Sequence, residues 1–182
     1  MPELPEVERA ARALNRAAKG KVIASVRAIH PALRRKLPPA RSRQVKNRRI
    51  ESIERRGKHQ LLHLDNGDTL VVHFRMNGDW EIGPTSEPLD RFARAVIELK
   101  DGTRISLVDR RALSSITLDK RGTSSLPNLG REASDPSLDA DYLMGALAVK
   151  DKEMPVRLQF FFKNLDSPDW RSEEHTSELQ SL

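Results

Sequence analysis

Lys58-His59-Gln60-Leu61-Leu62-His63-Leu64-Asp65-Asn66-Gly67-Asp68-Thr69-Leu70-Val71-Val72-His73-Phe74 decides the fold class of this chain. Two apolar-rich runs, Lys58 to Leu64 and Thr69 to Phe74, flank Asp65-Asn66-Gly67-Asp68. Asn-Gly accepts the positive φ angles of a type I′ turn, so the stretch predicts an antiparallel hairpin. The pattern recurs downstream, where Ala93 to Leu99 and Thr103 to Val108 flank Lys100-Asp101-Gly102. Upstream, Val22 to Ala28 and Arg49 to Arg55 read as further strands. Strands separated by turns, with little helix between them, predict an antiparallel sandwich or barrel, mainly β with flanking helices.

Outside the strands, Val7, Ala10, Ala11, Leu14, Ala17 and Ala18 repeat at helical spacing and Gly20 ends the pattern. Leu37 to Arg48 reads as a basic, proline-containing loop, and Leu126 to Ser137 as a linker rich in Gly, Pro, Asn and Ser. Asp139 to Val149 predicts a second helix, with Tyr142, Leu143, Ala146 and Leu147 on its apolar side. The tail from Arg171 to Leu182 resembles translated sequencing-adapter read-through and is expected to add nothing to the fold. The expected organisation is an N-terminal β domain over 1–125, a linker and the start of a helical segment over 126–170, and an artefactual tail over 171–182.

Lys and Arg number 32 against 26 Asp and Glu, and the excess is clustered at Arg34-Arg35-Lys36, at Arg41, Arg43, Lys46, Arg48 and Arg49, and at Arg55, Arg56 and Lys58. Such a field favours nucleic acid over a membrane, because no amphipathic or long apolar segment accompanies it. A solvated basic face explains the same charges. The absence of cysteine excludes disulfides and thiolate metal sites. No segment reads as a signal peptide or membrane span, so a cytoplasmic protein is expected.

The N-terminus carries the chemistry. A small residue after Met1 normally permits removal of the methionine, which gives Pro2 a free secondary amine. An α-amino group titrates near pH 7.7–8.0, so much of it is an unprotonated nucleophile at neutral pH. It can attack a sugar or carbonyl carbon and form an iminium, with Glu3 beside it as a candidate general acid. The alternative is that Pro2 and Pro5 only shape a helix start, where proline and acidic residues are both favoured.

Met1-Pro2-Glu3-Leu4-Pro5-Glu6-Val7-Glu8 resembles the start of bacterial formamidopyrimidine-DNA glycosylases and their endonuclease VIII relatives. The resemblance implies the family's N-terminal β-sandwich, with the first helix carrying the catalytic Pro-Glu at its start. It implies Pro2 as the nucleophile and Glu3 as the acid, with Glu6 supporting. Arg55-Arg56-Gly57-Lys58 lies where the family has a lysine on the rim of the damage pocket, which implies that Lys58 contacts phosphate and assists elimination. A surface lysine opening a strand is the other reading of Lys58.

Val72-His73-Phe74-Arg75-Met76-Asn77-Gly78 resembles the family's His-Leu-Gly-Met-Ser-Gly turn, which implies Met76 as the wedge filling the space of an everted base. A buried core methionine is the alternative there. Val108-Asp109-Arg110-Arg111-Ala112-Leu113 lies where the family has Asp-Pro-Arg-Arg-Phe-Gly. Arg110 would probe the base opposite the lesion; Ala112 replaces the family's phenylalanine, so either the second wedge is lost or Leu113 takes its place. Arg94 stands near a DNA-contacting histidine of relatives, and Lys152, with Lys150 and Arg157, is the basic candidate of the interdomain segment.

The resemblance therefore implies a bifunctional glycosylase and AP lyase of base excision repair, acting as a monomer on double-stranded DNA with oxidised purines such as 8-oxoguanine or formamidopyrimidines. The family's helix–two-turns–helix region and its four-cysteine zinc finger, with one zinc ion, have no counterpart in these 182 residues. The chain accordingly reads as C-terminally truncated, with no cofactor and no metal of its own. Three other readings stay open: an endonuclease VIII-like enzyme for oxidised pyrimidines, a small tautomerase using its N-terminal proline as a base, and a DNA-binding fragment of weak or no catalysis.

Overall fold

The computed structural model describes residues 2–127 together with 129, 132, 135–137, 139 and 142. The helix expected over 139–149 (apart from Asp139 and Tyr142), Lys150, Lys152, Arg157 and the tail from Arg171 lie outside the described residues. The chain divides into Met1–Gly130 and Arg131–Leu182, and every element below belongs to the first unit.

Helix α1, Leu4–Ala18, begins after Glu3, whose backbone is extended, and has Pro5 in its first turn. The Glu3 N–H donates to the Glu6 carboxylate at 2.9 Å, and Val7 N–H closes the first turn on the Glu3 carbonyl at 3.0 Å. The first satisfies a backbone donor that a helix start leaves without a partner, and the second is the first bond of the helix itself. Val7, Ala10, Ala11, Leu14 and Ala18 form the buried face. Four of these five buried positions are alanine or valine, which lets the helix lie close against the strand Ile50–Arg56. Gly20, at φ 77, turns the chain away and donates its N–H to Ile50 at 2.7 Å.

The strands are β1 (Ile23–Ala28), β2 (Ile50–Arg56), β3 (His59–Leu64), β4 (Thr69–His73), β5 (Asp79–Pro84), β6 (Ala93–Leu99), β7 (Thr103–Val108) and β8 (Ser115–Asp119). They form two four-stranded sheets, ordered β1-β6-β7-β5 and β2-β3-β4-β8, and every pairing is antiparallel. Leu62, Leu64, Leu70, Val72 and Ile116 of one sheet share a core with Ile97, Ile105 and Leu107 of the other, each almost wholly buried. The fold is the expected antiparallel sandwich. Each such side chain contributes about 1.5–3 kcal/mol by burial, so the inward face of every strand is fixed in register.

Both expected hairpins form, with a different turn. Gly67 and Gly102 have φ of 80 and 86, while Asn66 and Asp101 are absent from the residues with positive φ. Gly67 N–H bonds the Leu64 carbonyl at 2.8 Å, and Gly102 N–H bonds that of Leu99 at 3.1 Å. This is the three-residue hairpin loop, a type I turn closed by one left-handed glycine, in place of type I′. Leu37 to Arg48, expected as loop, contains helix α3 (Pro39–Gln44), and α2 (Pro31–Lys36) precedes it. Each opens on a proline in its first turn, and Leu33, Leu37 and Val45 are fully buried beneath a basic surface. Strands β5 and β8 escaped the sequence reading. The first is an exposed edge strand, Asp-Trp-Glu-Ile-Gly-Pro, with almost no apolar alternation; the second is only five residues long.

Candidate active site and nucleic-acid interface

The pairing registers bring the expected residues to one end of the sandwich. His59 opposes His73, and His73 opposes Ser115. Hence the Gly57-Lys58 turn, the segment 74–78 and the loop 109–114 leave the β2-β3-β4-β8 sheet at the same end. In the other sheet Val108 opposes both Asp79 and Ala93, so Phe92 and its neighbours join them there. Residues scattered from 2 to 114 in sequence thus converge.

Lys58 occupies the second position of a two-residue hairpin turn, one residue before β3 rather than on it. Gly57 precedes it with φ 56, as a glycine-first hairpin turn requires. The turn projects the Lys58 ammonium to the start of α1, where it donates to the Glu3 carboxylate at 3.0 Å. Glu3 is exposed, Lys58 and Pro2 are half-buried, and Glu6 is exposed with its carboxylate turned back on the Glu3 N–H. One turn further along α1, Glu8 accepts from Arg12 and Arg55, each at 2.7 Å. Those two hydrogen bonds, Arg12 first, hold its carboxyl below the usual range. Helix and hairpin are therefore joined by two ion pairs.

Met76 is 38% exposed, which removes the core reading. It sits in a turn that Gly78 closes by donating to the Phe74 carbonyl at 3.1 Å. A Cβ on Gly78 would lie 2.8 Å from both Cα and O of Phe74, so only glycine fits. Arg75 adopts φ 59, and its N–H donates to Nδ1 of His73 at 2.9 Å. The rings of His73 and His59 meet edge to face at 4.5 Å, linking the Met76 turn to the Lys58 turn. Burial, then the neighbouring His59, Arg75, Lys58 and Lys36, push the His73 imidazole down to about 4. It is neutral at physiological pH, as acceptance of the Arg75 N–H demands.

The loop 109–114 is organised by a residue to which the sequence reading gave no role. Asp109 is fully buried, and its carboxylate accepts from the backbone N–H groups of Arg111 (2.9 Å), Leu113 (2.7 Å) and Ser114 (2.7 Å). Burial alone would raise its pKa; these backbone donors, Ser114 foremost, outweigh that and lower it. The visible signal was an Asp at a strand end with Ser five residues on, a pattern that favours local side-chain to backbone bonding. Ala112 is held at φ 54, and Leu113 is 44% exposed at the loop tip.

Arg110 projects from this loop into solvent. Arg94, the other expected contact, also serves the loop: its Nε donates to the Asp109 carbonyl at 2.6 Å and its Nη2 to that of Arg110 at 3.2 Å. Lys152 lies outside the described residues. Among the described residues no three metal-ligating side chains gather, and no helix is long and apolar enough to cross a membrane. A chain without cysteine offers no ligands for a four-cysteine zinc site.

The formamidopyrimidine-DNA glycosylase N-terminal domain family matches residues 1–116. The formamidopyrimidine-DNA glycosylase of Nocardioides sp. strain JS614 is 33% identical over 193 residues, covering 96% of this chain and 65% of the relative. That of Bacillus subtilis strain 168 is 34% identical, covering 87% of this chain and 59% of the relative. The chain thus spans roughly six tenths of the curated relatives it matches. Among solved structures, Lactococcus lactis formamidopyrimidine-DNA glycosylase bound to DNA containing an AP site superposes with a TM-score of 0.71 at 22% identity, over 80% of this chain and 57% of that one. MutM in complex with DNA containing carbocyclic 8-oxo-G gives 0.61 at 24%, over 65% and 44%. These two show the shared fold, while the match over residues 1–116 includes the helix start, the Lys58 turn and the Met76 and Arg110 loops. The chain belongs to the formamidopyrimidine-DNA glycosylase family.

Proposed function

We propose that this chain is the catalytic β domain of a bifunctional DNA glycosylase and AP lyase acting on oxidised purines in duplex DNA. The observation that carries the reading is the Glu3–Lys58 pair, 3.0 Å apart beside Pro2, at the end of the sandwich where the Met76 and Arg110 loops converge. The Pro2 amine attacks C1′ of the everted nucleotide and the damaged base leaves with the bonding pair. Glu3 takes the proton released from the new ammonium and delivers it to O4′ as the C1′–O4′ bond opens, leaving an iminium on Pro2. The iminium acidifies the C2′ hydrogen. Its loss expels the 3′-phosphate, whose charge Lys58 offsets. Glu6 holds the Glu3 backbone in place, Met76 fills the vacated stack, and Arg94 and Arg110 grip the duplex.

Borohydride trapping on abasic-site DNA tests this directly. A covalent protein–DNA complex is expected, weakened by Pro2→Gly and abolished when Met1 or a tag blocks the terminus. Undiminished trapping with a blocked terminus would move the nucleophile to a lysine and overturn the assignment.

A further inference from the structure

We propose that Phe92 is the hub of a phosphodiester clamp made by Arg91, Arg94 and Arg110, with Phe92 as a positioning residue and Arg91 as an additional DNA ligand. The proposal rests on the DNA-directed reading above. The Cζ atoms of Arg91, Arg110 and Arg94 lie 4.5, 5.3 and 5.7 Å from the centroid of the Phe92 ring. Among the described residues none of the three guanidiniums forms an ion pair within 4 Å. Three like charges around one ring repel one another, and an aromatic face offsets only part of that. The arrangement is complementary to a polyanion: the planar guanidiniums of Arg91 and Arg110 each present a fork that matches two phosphate oxygens, and Arg94 adds its charge beside them.

The hub itself is fixed from both sides. Phe92 N–H donates to the Asp90 carboxylate at 2.5 Å, and its carbonyl accepts from Asp109 N–H at 3.0 Å. Arg94 is held by the carbonyls of Asp109 and Arg110, so its head has one position. Arg91 and Arg110 are exposed and unanchored except through the ring. Phe92 therefore limits the freedom of two long side chains before DNA arrives, which lowers the ordering cost of binding. A fixed cationic surface results at the end of the sandwich that also carries Lys58 and Met76.

The test is equilibrium binding of a labelled duplex over a salt series, with Phe92→Leu, Phe92→Tyr, Arg91→Ala, Arg110→Ala and the Phe92→Leu/Arg110→Ala pair. Leu keeps an apolar side chain and removes the ring; Tyr keeps the ring. Phe92→Leu should bind roughly three- to tenfold more weakly, since it removes up to three cation–π contacts, while Phe92→Tyr binds as the unaltered chain does. Arg91→Ala should reduce the slope of log affinity against log salt by about one, the signature of a lost phosphate contact. In the Arg110→Ala background, Phe92→Leu should cost less than it does alone. A DNA-free readout accompanies these: upfield-shifted arginine side-chain NMR signals that Phe92→Leu, but not Phe92→Tyr, abolishes. Affinity and slope unchanged in Phe92→Leu, or strict additivity with Arg110→Ala, overturn the clamp while leaving DNA binding intact. Failure of the unaltered chain to bind duplex DNA overturns the DNA-directed reading and the clamp with it.

Discussion

Asp109→Asn isolates the residue that shapes the Arg110 loop. In the native chain one carboxylate oxygen takes the Arg111 N–H and the other takes those of Leu113 and Ser114. An asparagine can turn its carbonyl towards the Leu113 and Ser114 donors, but its NH2 then faces the Arg111 N–H, donor against donor. The substitution removes charge assistance from two or three buried hydrogen bonds and leaves one backbone donor without an acceptor. At about 1–3 kcal/mol for an unsatisfied buried group, plus the difference between charged and neutral bonds, the expected loss is about 2–4 kcal/mol. Two-state urea unfolding measures it as a lower midpoint at unchanged slope. The sign of the pH dependence is a second readout. The folded pKa of Asp109 is depressed, so its contribution is present above the unfolded carboxylate pKa and disappears as pH falls through the folded value. The native chain should therefore lose stability on acidification below pH 4 more steeply than Asp109→Asn. Equal midpoints at pH 7, or parallel acid limbs, would refute the role given to this carboxylate.

Gly78→Ala places a Cβ 2.8 Å from Phe74 backbone atoms; it should cost about 1–3 kcal/mol in urea unfolding and weaken binding to lesion DNA by shifting Met76. Glu3→Gln should lose action on an intact damaged base while retaining some nicking of a preformed abasic site, as single-turnover gels would show; equal loss on both substrates counts against a role confined to the steps before elimination. For His73, pushed down to about 4, the unfolded chain binds more protons than the folded one between that value and about 6.5. Stability should rise with pH through that window, NMR titration should show a neutral ring at pH 6, and His73→Phe should flatten the rise.

The hairpins and the first helix were legible because their signals are local: Asn-Gly and Asp-Gly between apolar runs, and a 3.6-residue alanine–leucine stripe. The precise turn was not, since the same glycine serves a type I′ turn or a three-residue loop and only strand register decides between them. Edge strand β5 hid because it has one hydrogen-bonded neighbour and no inward alternation to display. Helices α2 and α3 hid behind their prolines and arginines, and at six residues each they are too short to display a periodic face. Around the site, Pro2 and Glu3 were legible as an N-terminal amine with an acid beside it and Lys58 by resemblance, and their meeting is a matter of topology. Phe92 carried no motif. Its importance comes from three arginines that sequence places 1, 2 and 18 residues away and that only the sandwich brings onto one ring.

The twofold attachment of α1 to the β2–β3 hairpin has a mechanical consequence. A rod fixed at one point can still roll and swing; fixed at two, it is left with a hinge axis through both. Lys58–Glu3 and Arg55–Glu8 are such a pair of fixings, and each is a partly exposed ion pair of modest strength that salt weakens. Rising ionic strength should release the orientation of the helix start, and with it the aim of Pro2, well before it affects the apolar interior that keeps the sheets together. On the role proposed for Pro2, reactivity and foldedness in this domain answer to different properties of the solvent.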